Sequence, residues 1–306
     1  MTTAVSVDGV LVPPDQAVVS VFDRGFLYGD SVYEVIRTYG GRPFEVAAHL
    51  ARMRRSAARL ALVLPWNDER LGAEIARALA ASAGGDPPDP GAAPWNRRER
   101  SVRVIVTRGS GELGLDPALA VEPRAIVIAT ALRGPPADAY RTGVACRIVA
   151  IRHDAPDAVD TTAKTGAHLG NVLALAEARA AGAHEALLLD RDGLLTEGAS
   201  SNLFAVREGR VETPPLAAGI LEGVTRGVVL ALARRAGLEV RQHAMRPAEL
   251  MTAEEAFLTS TAREILPVTS VDGQAVGSGR VGPVTTRLHA LFRERAERTV
   301  RGEVVS

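Results

Sequence analysis

The sequence predicts an α+β protein of two domains, a small N-terminal one and a larger C-terminal one. Three observations carry that prediction. Segments of alternating polarity and segments apolar at helical spacing are interspersed along the whole chain. The 306 residues, 46% of them apolar, suit one large or two medium globular domains. Gly134-Pro135-Pro136 interrupts the pattern near the middle, as an interdomain linker does. The expected boundaries are 1–131 for the first domain, 132–139 for the linker and 140–306 for the second.

The elements follow in order. Residues 4–12 and 17–21 read as a strand pair joined by the Pro13-Pro14-Asp15 turn. Residues 31–39 alternate and end in Gly40-Gly41, a hairpin signal. Residues 49–64 carry Leu50, Met53, Ala57, Leu60 and Leu64 at helical spacing and stop at Pro65. A second helix is expected over 68–83. Residues 84–95, rich in Gly, Pro and Ala, predict a mobile surface loop. Strands over 101–107 and 125–131 close the first half. The second half reads as a strand over 144–151, a helix over 166–181 and a buried strand over 185–189. Short strands near Leu194 and over 203–206 follow, then a helix over 224–236. Strands over 239–243 and 256–259 and a helix over 282–296 complete the chain. No internal repeat is visible.

Composition narrows the function. Formal net charge is zero, which gives no electrostatic case for nucleic acid or an anionic membrane. The apolar runs are strand-sized, far below a membrane span. The N-terminus lacks the basic-then-apolar pattern of a signal peptide, so cytoplasm is the expected address. The single cysteine, Cys146, excludes an internal disulfide and a multi-cysteine metal site; its strand context reads as core. No metal is expected.

Lys164 is the only lysine, against 35 arginines among the 36 basic residues. The composition favours arginine wherever a cation suffices, so a retained lysine points to chemistry that only a primary amine performs. A guanidinium stays protonated and forms no imine at neutral pH. Taken alone, a chance survivor explains Lys164 equally well. Its segment, Asp160-Thr161-Thr162-Ala163-Lys164-Thr165-Gly166, places it just ahead of the expected helix, whose N-terminus would favour a neutral amine. Thr196-Glu197-Gly198-Ala199-Ser200-Ser201-Asn202 sets a carboxylate at the end of a strand, able to pair with a protonated pyridine nitrogen or to serve as a solvated turn residue. Gly223-Val224-Thr225-Arg226 opens a helix, and Thr259-Ser260-Thr261-Ala262 follows a strand. Both are phosphate-cradle candidates, with ordinary N-capping as the alternative. Arg52 lies among Arg54, Arg55 and Arg59, and spacing alone reads it as one more solvated cation.

Together these segments resemble the fold-type IV pyridoxal phosphate (PLP) enzymes: branched-chain aminotransferases, D-amino-acid aminotransferases and aminodeoxychorismate lyases. The resemblance runs from Asp23-Arg24-Gly25-Phe26-Leu27-Tyr28-Gly29-Asp30 to Val281-Gly282-Pro283-Val284-Thr285. It implies PLP as cofactor, a homodimer whose sites borrow loops from the partner, and two-stage transamination between an amino acid and a 2-keto acid such as 2-oxoglutarate or pyruvate. It also implies roles. Lys164 matches the Schiff-base lysine, Glu197 the residue on the pyridine nitrogen, and Arg52, in His49-Leu50-Ala51-Arg52, the phosphate arginine. Val224, Thr225 and Thr261 match phosphate-binding groups, and Leu221 the leucine packed on the ring. Thr261 and Ala262 match the turn that faces the substrate carboxylate.

The substrate-side residues point two ways. Tyr33 and Val35, in Val32-Tyr33-Glu34-Val35-Ile36-Arg37, look like the D-amino-acid enzymes; branched-chain enzymes usually have Phe and Gly there. Leu169 replaces a tyrosine common in the branched-chain group. Thr107-Arg108-Gly109-Ser110-Gly111-Glu112-Leu113-Gly114-Leu115-Asp116-Pro117 instead resembles the branched-chain loop. The D-specific group's usual Arg-x-His carboxylate trap is replaced by Leu113 and Leu115. Arg103 matches a substrate-carboxylate arginine of some branched-chain enzymes, but the tyrosine two residues earlier is Ser101. A carboxylate buried without a cation is costly, so Arg37, Arg103 and Arg24 are the candidates to hold it. The reading leans to D-amino acids with an atypical carboxylate site. L-branched-chain amino acids, (R)-amines and the lyase reaction are the alternatives.

Overall fold

The structure, a computed structural model, describes residues 3–83, 91–152 and 162–303. Residues 84–90 of the expected surface loop lie outside that set, as do Asp160 and Thr161 of the lysine segment. The chain divides into two compact units. The first takes the described residues of Met1–Pro90 with Pro94–Arg133 and Ala163–His168. The second takes those of Gly91–Ala93, Gly134–Thr162 and Leu169–Ser306. The division after Arg133 falls within the segment read as a linker. Two short pieces depart from the contiguous domains expected: Gly91–Ala93 sides with the second unit and Ala163–His168 with the first. The latter carries Lys164.

The first unit contains β1 (Ala4–Val7), β2 (Val10–Val12), α1 (Arg24–Tyr28), β3 (Ser31–Tyr39), β4 (Arg42–Pro43), α2 (Val46–Arg59), α3 (Asp68–Ser82), β5 (Arg100–Thr107) and β6 (Arg124–Ala131). Its strands form one antiparallel sheet in the order β2-β1-β6-β5-β3-β4. The strand pair expected over 4–12 and 17–21 is instead a hairpin within 4–12. Asp8 and Gly9 take φ of 49° and 83°, the backbone of a tight two-residue turn that suits strand twist. Residues 17–21 form no strand; Pro13 and Pro14, which cannot donate to a ladder, separate them from β2. Gly40 and Gly41, at 56° and 77°, make a second such turn between β3 and β4. Helix α2 begins at Val46 and ends at Arg59 rather than spanning 49–64, because Ala61 turns left-handed at φ 47°.

One face of this sheet packs on α2 and α3. Val32, Ile36, Val102, Val104 and Val127 meet Leu50, Met53, Leu71 and Ile75 in a buried cluster. Each such side chain contributes roughly 1.5–3 kcal/mol of burial. Strand alternation then sends Tyr33, Val35 and Arg103 to the opposite face.

The second unit contains α4 (Ala137–Thr142), β7 (Val144–Arg152), α5 (Leu169–Ala180), β8 (Glu185–Leu189), β9 (Leu195–Gly198), β10 (Asn202–Arg207), β11 (Arg210–Thr213), α6 (Val224–Arg235), β12 (Val240–Gln242), α7 (Pro247–Met251), β13 (Glu255–Ser260), β14 (Glu264–Val271), β15 (Gln274–Ala275) and α8 (Pro283–Val300). The sheet order is β12-β11-β10-β13-β14-β7-β8-β9, with β15 beside β14. The pairs β11–β12, β14–β7 and β7–β8 are parallel and the others antiparallel. Helix α4 occupies the end of the expected linker. Strand β14, central in the sheet, has no counterpart in the sequence reading, because Pro267 argues against an interior strand. Its pairing with β7 begins only at Val268, so the missing N–H of Pro267 breaks no bond on that side. No helix among the described residues is long and apolar enough to cross a membrane.

Candidate active site

Lys164 is held by its backbone in the first unit. Its N–H donates to Ser56 Oγ on α2 at 3.0 Å, and its carbonyl accepts from Tyr33 N–H at 3.1 Å. Thr165 bridges Val32, and Gly166 N–H donates to Ser31 carbonyl at 2.9 Å. The backbone of the lysine is thus pinned to the start of β3. The helix expected at 166 begins at Leu169, so the lysine does not stand immediately ahead of it in sequence. Lys164 Nζ instead donates to Tyr33 Oη at 3.1 Å and lies 4.3 Å from that ring's centroid. Arg103 lies over the same ring at 4.7 Å. Tyr33 is therefore a common wall for the amine and a guanidinium.

Tyr33 and Arg103 line a cavity of about 570 Å³ on the sheet face away from α2 and α3, with Gly25 and Phe26 of α1 also in its wall. Val5, Ile105, Ile126 and Ile128 supply much of its wall. Val35 is the register partner of Arg103. Of the three arginines considered for a carboxylate, Arg103 alone lines this cavity. It has no ion-pair partner among the described residues. Arg37 is 1% exposed; it donates to Asn96 Oδ1 at 2.8 Å and sits over the Tyr39 ring at 4.0 Å. Arg24 pairs with Asp30 and donates to the carbonyls of Gly114 and Leu115. Neither of these two arginines lines the cavity, and the bonds named here go to protein oxygens. Arg24 shapes the backbone of the loop carrying Leu113 and Leu115, whose side chains are exposed at 68% and 81%.

Arg52 is not the solvated cation that spacing suggests. It is 4% exposed, on the stripe of α2 that also buries His49, Met53 and Ser56. Its Nε and Nη2 each donate to Glu34 at 2.7 Å, and His49 Nδ1 meets the same carboxylate at 2.7 Å. Glu34 sits on β3 between Val32 and Ile36, wholly buried. Burial pushes its carboxyl up, but the bonds from Arg52 and His49 outweigh this and hold it at about 2. Sequence reading missed Glu34. The available signal was a charged residue on the core-facing phase of a strand.

The second unit carries the other expected residues. Glu197, on β9, accepts from Asn202 Nδ2 at 2.8 Å and from Leu221 N–H at 3.1 Å. Asn202 also donates to the Leu221 carbonyl at 3.0 Å, so Glu197 and Leu221 are tied through one amide. Val224 and Thr225 open α6 behind Gly223, whose N-cap position has no side-chain bond. A Cβ on Gly223 would lie 2.0 Å from Asn202 Oδ1, so that approach requires glycine. Thr261 and Ala262 form the partly buried turn between β13 and β14. Nearby in sequence, Thr259 Oγ1 is buried without a hydrogen-bond partner. Among the described residues no His, Cys, Asp and Glu group could hold a metal ion.

The residue types in each unit suit PLP. The first unit offers a primary amine, and the second, taken by itself, a fixed carboxylate of the kind a pyridine nitrogen needs and an uncapped helix start whose N–H groups suit a phosphate. Comparison with known proteins agrees. The family described as Amino-transferase class IV matches residues 31–271. The D-alanine aminotransferase of Bacillus licheniformis is 34% identical over 286 residues, 94% of each chain. The crystal structure of the Escherichia coli branched-chain amino acid aminotransferase superposes with a TM-score of 0.86 at 31% identity, covering 95% of this chain and 93% of that one. The branched-chain aminotransferase of the thermophilic archaeon Thermoproteus uzoniensis, crystallised with norvaline, gives a TM-score of 0.85 at 29% identity, covering 96% and 94%. The chain belongs to the class IV aminotransferases. It is an enzyme of fold type IV, and that class works with PLP.

Proposed function

We propose that this enzyme transaminates amino acids with apolar side chains and uses Arg103 to hold their carboxylate. The carrying observation is that Arg103 and Lys164 share the Tyr33 ring while Arg103 lines an otherwise largely apolar cavity. A cation without a carboxylate partner in such a place favours an anionic ligand. PLP, when bound, supplies the electron sink that stabilises negative charge at the substrate's α carbon. Lys164 would hold the cofactor covalently and, once displaced by the incoming amine, move the α proton with Nζ. Tyr33 Oη, in hydrogen-bond contact with that nitrogen, would orient it. Glu197, fixed by Asn202 and Leu221 N–H, would hold the pyridine nitrogen protonated. Val224, Thr225 and Thr261 would take the phosphate, with Arg52 aimed by Glu34. Leu221 would pack on the ring, and Thr261 and Ala262 would border the carboxylate.

D-amino acids are the preferred donors in this reading, on the strength of Tyr33 and Val35. The similarity to a D-alanine aminotransferase supports it. L-branched-chain donors are the second reading, favoured by the aliphatic cavity wall. A half-reaction panel with D- and L-amino acids and (R)-1-phenylethylamine, followed by absorbance, separates them. Arg103→Ala should raise KM for amino acids at least ~10-fold more than for the carboxylate-free amine. Equal effects on both would remove Arg103 from this role.

A homodimer is also proposed. The first unit exposes Val18, Val21, Phe22, Phe26, Leu113, Leu115 and Val121, apolar side chains that a partner subunit could cover. Sedimentation equilibrium should return the mass of two chains, and a single-chain mass would overturn it.

A further inference from the structure

We propose that His168 is a second ligand for the substrate carboxylate, acting beside Arg103. His168 lines the same cavity as Tyr33 and Arg103. Its ring meets Tyr33 edge-on, with centroids 5.0 Å apart and planes at 88°. Tyr33 thus gathers Arg103 from β5 and both Lys164 and His168 from the Ala163–His168 segment. His168 Nε2 is buried and has no hydrogen-bond partner. A polar atom in that state is destabilising until something pairs it, and aliphatic side chains dominate this wall. Rotation about the Cβ–Cγ bond, a soft torsion, sets which ring nitrogen meets a ligand. A guanidinium and an imidazole N–H together match the two oxygens of a carboxylate.

The charge balance agrees with that geometry. Burial first, then the positive charges of Lys164 and Arg103, push the imidazole below its ordinary pKa. At neutral pH it is a neutral donor and adds no third cation to the cluster. Arg-x-His traps draw both groups from one loop. Here the arginine comes from β5 and the histidine from the segment that carries the lysine.

The inference rests on Arg103 being the carboxylate site, and the test separates the two. Holoenzyme is titrated calorimetrically with 4-methylvalerate and with its uncharged amide, 4-methylvaleramide. His168→Ala should reduce the preference for the acid about tenfold, with amide binding unchanged. His168→Asn, which keeps an N–H donor, should recover most of that preference. Arg103→Ala, run in parallel, should lower the preference by at least as much. If His168→Ala leaves the acid-to-amide ratio at its wild-type value while Arg103→Ala collapses it, the His168 proposal is overturned and the Arg103 reading stands. If neither variant moves the ratio, both fall. If His168→Ala weakens acid and amide equally, the residue only shapes the cavity, and the proposal is again overturned.

Discussion

Lys164→Ala is expected to lower turnover more than about 10⁴-fold with every amino donor. Two losses combine: the covalent hold on the cofactor and the movable proton at Nζ. Lys164→Arg should be no better, because a guanidinium keeps its proton. The backbone bonds of residue 164 to Ser56 and Tyr33 do not involve the side chain, so both variants should fold. Thermal unfolding checks that point, and partial rescue of Lys164→Ala by added methylamine would identify the missing group as chemical. Steady-state transamination by Lys164→Ala near the wild-type rate would sink the assignment.

Glu34→Gln should be the largest single loss of stability. It leaves the Arg52 guanidinium, 4% exposed, without its carboxylate, and removing one partner of a buried pair costs roughly 3–5 kcal/mol. Replacing both residues, as Glu34→Gln with Arg52→Met, should recover part of the loss. The pair also predicts an acid limb. Glu34 is held at about 2 against an ordinary 4.5. Its folded pKa is depressed, so the stability it contributes is complete above about 4.5 and is lost as pH falls toward about 2. That contribution is on the order of 3 kcal/mol. Urea unfolding of wild type and Glu34→Gln from pH 7 to pH 3 reads it directly. Equal stability loss on acidification in the two proteins would contradict this.

The fold class was legible in the amino-acid sequence, and the residues of the proposed site were easier to single out than individual strands were. Lys164, Glu197 and the Gly223 helix start are short segments whose residue types the chemistry restricts. Arg52 was legible only by resemblance, since four arginines on one helix hide which one faces inward. Glu34 escaped although a charged residue on the core-facing phase of β3 was there to be read, and His168 escaped because the Tyr33 ring that it meets lies far along the chain. Strand β14 escaped because Pro267 contradicts local propensity, and the pairing that tolerates it is tertiary. The misread strand over 17–21 has the opposite cause. A run of valines looked like a strand, but the Asp8-Gly9 turn had already supplied β1 with its neighbour.

The placement of Ala163–His168 has a practical consequence for dissecting this enzyme. A fragment cut after Arg133 would carry the whole six-stranded sheet and still lack the lysine. The complementary fragment would carry the lysine but not the β3 edge that fixes its backbone. Neither half can be exchanged between relatives as a self-contained module. A chimera designed to transplant donor preference must move Tyr33, Arg103 and the lysine segment together, although more than 130 residues separate the first from the last (33 to 168).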